Sequence, residues 1–230
     1  MSFNIAIDGP AGAGKSTIAK KVAKELSFIY VDTGAMYRAI AWYLIKHDIS
    51  PEDEAALEEA CGQIHVDIGY KDGEQQVILN GENITGQIRT EEVGNMASAA
   101  AAKPCVREAL LMLQRNLAAK TDVLMDGRDI GTNILPDAQL KIYLTASVKT
   151  RAKRRFLELR EKGETCDLEK IVRDIEERDH RDANRELAPL KKAEDAVLID
   201  SSDMSIEEVV ACICGLYHVS RKSSANDVSI

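Results

Sequence analysis

Short continuous apolar runs alternate along the chain with longer stretches in which apolar residues return every three or four positions. The runs are Ile5-Ala6-Ile7, Phe28-Ile29-Tyr30-Val31, Val123-Leu124-Met125, Leu140-Lys141-Ile142-Tyr143-Leu144 and Ala196-Val197-Leu198-Ile199. Between them, helices are predicted over 15–25 (Ile18, Ala19, Val22, Ala23 and Leu26 on one stripe), from Ala35 onward, over 52–64 behind Pro51, and over 91–102. Further helices are predicted from Pro104 to Ala119, with Leu110, Leu111, Leu113 and Leu117 inward, over 147–161 and 168–185, and after Ser205 as cap. Continuous apolar strands alternating with amphipathic helices imply a parallel sheet covered on both faces, an α/β fold. One region breaks the rhythm. His65 to Ile68, Gln75 to Leu79 and a shorter run at 82–85 are strand-like and joined by tight turns at Lys71-Asp72-Gly73 and Asn80-Gly81. Such hairpins do not belong in a doubly wound sheet, so 62–90 is expected to be an inserted small antiparallel subdomain over one edge of the cleft.

The first strand leads into Gly9-Pro10-Ala11-Gly12-Ala13-Gly14-Lys15-Ser16, which fits G-x-x-x-x-G-K-[ST] in the strand–loop–helix setting of a phosphate-binding loop. Glycines let successive N–H groups face one point, to which the following helix adds its dipole end. Residues Gly9 to Thr17 are therefore expected to bind ATP, with Lys15 on the β/γ-phosphates and the Ser16 hydroxyl on Mg²⁺. The plain alternative is a glycine-rich turn containing a lysine.

Length and composition bound the picture without changing it. A chain of 230 residues with 45% hydrophobic content suits one globular domain with room for an insertion. A net charge of -8 disfavours wrapping nucleic acid or lying on a membrane, so anionic ligands must be met by local arginines. Five cysteines without a C-x-x-C pair indicate neither a disulfide framework nor a zinc site. With no leader-like or spanning apolar segment, a cytoplasmic location is expected.

Other candidates sit where strands end. Asp126 closes an apolar strand and is followed by Arg128, a pattern suited to a carboxylate near the metal, acting through a water, and a cation facing the moving phosphate. It also reads as a polar turn with a local Arg/Asp pair. Thr33 and Arg38 follow the second strand, where Arg38 is equally a solvated helix arginine. Ser98 and Arg107 interrupt apolar helices; on the residues alone each belongs to a helix exterior, as His65 belongs to the surface. Arg178, Arg181, Asp182 and Arg185 are spaced i, i+3, i+4 and i+7, which gathers three cations around a carboxylate on one helical face. The charged hairpin over 150–187 is either a solvated face or a mobile lid for phosphates, and the polar end over 221–230 is expected to fray.

Six segments taken together resemble bacterial-type cytidylate kinases along nearly the whole chain. They are Asp8 to Ser16, Asp32-Thr33-Gly34-Ala35-Met36-Tyr37-Arg38, Ile88-Arg89-Thr90, Val106-Arg107-Glu108-Ala109-Leu110, Asp126-Gly127-Arg128-Asp129-Ile130-Gly131-Thr132, and Glu177 to Arg185. The resemblance implies the P-loop nucleoside-monophosphate-kinase fold: a core over 1–61, 91–149 and 188–220, the monophosphate-binding insertion at 62–90 and a helical lid. It implies transfer from ATP with Mg²⁺ to CMP or dCMP, giving CDP or dCDP, by a monomer. By matching positions, Thr33, Ser98, Arg107 and Asp129 fall in the CMP site, the last three reading cytosine. Arg38, Arg128 and Arg185 hold the acceptor phosphate, and Arg178 and Asp182 meet the sugar. Lys15, Arg128, Arg178 and Arg185 are the expected catalytic cations. Thr33 stands where the family often has serine, and Ser16 where some members have Gly or Thr. A related kinase acting on UMP is the nearest alternative. A GTPase switch is a more distant one, since the chain has neither an N-K-x-D nor a T-K-x-D run.

Overall fold

In the computed structural model, which describes residues 2–226, the chain divides into two compact units. The first comprises 1–30, 121–184 and 189–230, and the second 31–120 with 185–188. Among the described residues the first unit is built on a five-stranded sheet in the order β2-β6-β1-β7-β8. Its strands are β1 (Asn4–Asp8), the start of β2 (Ile29–Asp32), β6 (Val123–Gly127), β7 (Leu140–Thr145) and β8 (Val197–Asp200). β1 pairs in parallel with β6, Ile7 opposite Asp126, and with β7, Ile7 opposite Ile142. Because Asp8 and Gly127 are register partners, β1 and β6 end side by side, and the loops that leave them begin together.

Helices α1 (Lys15–Leu26) and α8 (Ile206–Asn226) cover part of this sheet. The α1 stripe of Ile18, Ala19, Val22 and Ala23 is buried with Ile5, Leu124, Leu144, Val209 and Ile213. Tyr217 meets Phe3 and Phe28 edge-on at centroid distances of 5.0 and 5.4 Å, contacts worth about 0.5–1.5 kcal/mol each beyond area burial. Ser205 caps α8 in a reciprocal box, its hydroxyl accepting from Glu208 N–H and its own N–H donating to the Glu208 carboxylate. α8 runs past Arg221, where the sequence pattern predicts fraying, to Asn226; positions 227–230 of that expected tail lie outside the described residues. Helices α6 (Val148–Glu161) and α7 (Leu168–Asn184) form a hairpin with a small core of its own: Ala152, Leu159, Ile171 and Ile175.

The second unit takes in much more than the inserted sheet. It contains α2 (Thr33–Lys46), α3 (Glu54–Gln63), α4 (Glu91–Ala100) and α5 (Pro104–Lys120) as well as the antiparallel strands β3 (Val66–Lys71), β4 (Glu74–Leu79) and β5 (Glu82–Asn83). The turn between β3 and β4 places Asp72 and Gly73 at φ +53° and +79°, the paired left-handed geometry that a two-residue hairpin needs. β4 alternates as its pattern predicts, burying Gln75, Val77 and Leu79. α3 starts later than Pro51 suggests. Asp53 is its cap, accepting from Ala56 N–H, and Pro51 lies in the preceding turn.

Candidate active site

The phosphate-loop sequence adopts the conformation that its glycines prescribe. A Cβ at Gly9 would lie 1.9 Å from the Leu144 carbonyl oxygen, so no other residue fits between the end of β1 and β7. Gly14, at φ +88°, is the N-cap of α1; no side chain caps that end and no acidic residue lies in its first turn. A helix start left in this form is suited to an anion. Lys15 follows immediately and is buried, its Nζ donating to the Pro10 carbonyl at 2.8 Å. Ser16 Oγ donates to Asp126 Oδ2 at 3.0 Å, and Tyr30 Oη donates to Asp126 Oδ1 at 2.9 Å. Thr17 is exposed one position on.

Burial costs Lys15 its water shell, and the nearby Arg128 guanidinium adds repulsion, so its ammonium is pushed down from 10.5 to about 7 despite Asp126 and Asp8. Asp8 moves the other way. Burial lifts its carboxyl to about 6, although it accepts from the N–H groups of Ile130 and Gly131, both at 2.8 Å. Those two N–H groups open a π-helical turn, Ile130–Ile134, that no pattern in the sequence announces. The turn starts directly after Asp129, whose buried carboxylate accepts from Asn133 Nδ2 at 3.2 Å.

Arg128 leaves the end of β6 and donates through Nε to Asp182 Oδ2 at 3.0 Å, joining that strand to α7. The helix expected over 168–185 ends one residue earlier. α7 ends at Asn184, whose amide turns back to the His180 carbonyl at 2.8 Å, so Arg185 lies beyond the helix with its Nε on the Ala188 carbonyl. Arg181 is exposed, Arg178 half-buried and Asp182 buried, with Arg128 among its partners. Two hairpin arginines passed over in the sequence also reach the phosphate loop. Arg151 is buried, donates to the Ala11 and Ala146 carbonyls and forms a bidentate pair with Asp179. Arg154 donates to the Ala13 carbonyl of the loop at 3.5 Å and to the Ser201 carbonyl at 2.7 Å. The usable signal was position: Val148, Arg151, Ala152 and Phe156 fall on one apolar stripe, where a solvated arginine does not belong.

In the second unit the start of α2 is tied down from several directions. The Asp32 carboxylate caps α2 by accepting from Ala35 N–H at 3.0 Å and also pairs with Arg89 at 2.6 Å. The Asp32 backbone exchanges two hydrogen bonds with the buried Gln75 amide, at 2.8 and 3.1 Å. This fixes Thr33, which is buried, and sets the direction of Arg38 one turn on. Arg38 Nη1 donates to the carbonyls of Ile88 and Thr90, each at 3.1 Å, so it is not a freely solvated helix arginine. Ser98 is half-buried on α4. Arg107 departs furthest from the helix-exterior expectation: it is 6% exposed, donates to the Ala101 carbonyl and lies 5.8 Å from the Tyr37 ring centroid.

A family model for cytidylate kinase matches residues 5–219. The chain belongs to the cytidylate kinase family. A cytidylate kinase of Caldicellulosiruptor bescii is 50% identical over 216 residues, 94% of this chain and 96% of that protein. One of Listeria welshimeri is 53% identical over 213 residues, 92% and 94% of the two chains. Among solved structures, that of an uncharacterized protein from Eubacterium ventriosum matches with a TM-score of 0.50 at 13% identity over 94% of this chain and 98% of that one, a likeness of fold. Every position that the cytidylate kinase resemblance marks, from Gly9 to Arg185, lies inside the matched span.

Proposed function

We propose that this cytidylate kinase family member transfers the γ-phosphoryl group of ATP to CMP, and to dCMP, with Mg²⁺, giving ADP and the nucleoside diphosphate. The observation that carries the reading is the family match over 5–219, which takes in both the phosphate loop and every acceptor-side residue. Physical chemistry agrees with it. The acceptor oxygen of a nucleoside monophosphate is already anionic at neutral pH and needs no general base, so what opposes the reaction is repulsion between two phosphates. A buried loop lysine with arginines is suited to cancel that repulsion and hold the oxygens in line.

Lys15 is assigned to the migrating γ-phosphoryl, Gly9 to Thr17 to the ATP phosphates, and Arg128, Arg178 and Arg185 to the charge that builds as the phosphates meet. The adjacent Ser16 hydroxyl and Asp126 carboxylate are hard oxygen donors 3.0 Å apart, a set whose chemistry fits Mg²⁺. Ser16, and Asp126 through a water, would hold Mg²⁺, which would supply charge neutralisation. Arg38 is assigned to the acceptor phosphate, Arg178 and Asp182 to the sugar, and Thr33, Ser98, Arg107 and Asp129 to the acceptor nucleoside. Cytosine offers an amino donor at N4 and acceptors at N3 and O2, complementary to the Asp129 carboxylate and the Arg107 guanidinium.

A coupled assay with ATP and each common nucleoside monophosphate tests the activity. CMP and dCMP should be turned over with kcat/KM well above UMP, AMP and GMP; UMP as the best acceptor would overturn the reading. Nucleotide hydrolysis undiminished when all monophosphates are left out would overturn it as well.

A further inference from the structure

Gly94 sits inside helix α4, in the sequence Glu91-Glu92-Val93-Gly94-Asn95-Met96, at a place where nothing in the backbone demands glycine. Its φ is not left-handed, and a helix-interior glycine is less favourable than alanine by about 1 kcal/mol. What it does is admit Arg38. A Cβ built on Gly94 would lie 2.9 Å from Nη2, 3.1 Å from Nη1 and 3.3 Å from Cζ of Arg38, so the methyl group of an alanine would crowd both terminal nitrogens of the guanidinium.

The same corner fixes the guanidinium from its edge. Nη1 donates to the Ile88 and Thr90 carbonyls, and the Thr90 carbonyl also accepts the Gly94 N–H, closing the first turn of α4. Arg89, between those two carbonyls in sequence, is paired with Asp32 at the start of α2. The Ile88–Thr90 segment is thereby tied at two points to the helix that carries Arg38. With Nη1 held by two carbonyls and no side chain at position 94, the guanidinium occupies space that a Cβ would take.

We propose that Gly94 is a positioning residue for the acceptor phosphate: its missing side chain sets where the Arg38 fork stands, so that CMP affinity depends on it although it touches no substrate. This rests on the reading of Arg38 as an acceptor-phosphate ligand.

The test uses the full chain with Gly94→Ala, Arg38→Ala and the double variant, reading KM for CMP, KM for ATP, kcat and the thermal midpoint. Gly94→Ala should raise KM for CMP about tenfold or more, the scale of one lost charge-assisted hydrogen bond, with KM for ATP unchanged. Its midpoint should be unchanged or higher, since the helix gains propensity and the crowded group is the end of a flexible side chain. On the Arg38→Ala background, Gly94→Ala should add no further rise. An unchanged KM for CMP in Gly94→Ala while Arg38→Ala raises it overturns the inference alone, and so does an equal further rise on the Arg38→Ala background. An unchanged KM in Arg38→Ala overturns the reading of Arg38, and the inference with it. Should Gly94→Ala fail to fold, the double variant decides: recovery of the fold supports the contact, and failure in both backgrounds overturns it.

Discussion

Two cations are buried to the same degree in two different regions: Lys15 on the phosphate loop and Arg107 on α5 are each 6% exposed. Their surroundings differ in kind. Lys15 has one carbonyl partner shown, at Pro10, and the charges of Arg128 and Arg178 oppose its own, so its ammonium is held at about 7. A compact charge strained in this way is stabilised when phosphates arrive. Arg107 is braced by the Ala101 carbonyl and the Tyr37 ring, and its donors point along a rigid fork. The comparison teaches that equal burial can leave a charge opposed by its neighbours in one region and a charge braced by them in the other, which suits the proposed roles of Lys15 toward phosphate and Arg107 toward a base edge.

The largest effect expected from breaking this contrast is on turnover. Lys15→Ala should lower kcat by about 10²- to 10³-fold or more while leaving the fold intact, as read by steady-state kinetics beside far-ultraviolet dichroism. Near-normal turnover in a folded variant would remove the lysine from its assigned role. Next is Asp129→Ala, which should lower kcat/KM for CMP far more than for UMP. Uracil sets an oxygen where cytosine has its amine, so a site that pairs a buried carboxylate with that amine discriminates against uracil. If Asp129 merely held Asn133 and the π-helical turn, both substrates would suffer alike.

A smaller effect separates the regions by pH. In the protein without nucleotide the folded Lys15 titrates at about 7, against 10.5 for an ordinary lysine. Between those values the unfolded chain binds more protons, so stability should rise as pH climbs from about 7, by at most about 1.4 kcal/mol per pH unit for one group. Asp8 acts oppositely: its carboxyl is raised to about 6, so its contribution falls as pH rises from 3.8 toward that value. Urea melts from pH 7 to 9 should therefore show a rising limb that Lys15→Met flattens; an identical slope in both proteins would contradict the strained charge. The smallest expected change is for Gln75→Leu, which deletes both bonds to the Asp32 backbone. It should raise KM for CMP several-fold with little change in KM for ATP, and equal rises in both would reduce Gln75 to a general stabiliser.

Much of this was legible in the sequence because its causes are local. The phosphate loop is contiguous, each glycine answers a nearby constraint, and unbroken apolar runs such as Ile5-Ala6-Ile7 mark strands covered on both faces. The small sheet was legible from alternation and from the turn at Asp72-Gly73. The places that escaped depend on partners distant in sequence. Arg107 looked like a helix exterior, yet it lies with Leu110, Gln114 and Ala118 on the stripe that α5 buries. Arg151 was hidden within a charged stretch that reads as solvated; its pairing with Asp179 comes from the hairpin's return, and its bond to Ala11 from the distant phosphate loop. Arg185 was assigned to a helix by spacing alone, which says nothing of the Asn184 amide that closes the helix one residue earlier.

The division of labour between the two buried cations is tested most directly by the ratio of kcat/KM for CMP to that for UMP, measured with saturating ATP in the wild type, Lys15→Ala and Arg107→Ala. Cytosine N3 accepts where uracil N3 donates, so loss of the Arg107 fork should collapse the ratio, whereas loss of Lys15 should depress both acceptors and leave the ratio as it was. A ratio that survives in Arg107→Ala, or one that collapses in Lys15→Ala, would contradict it.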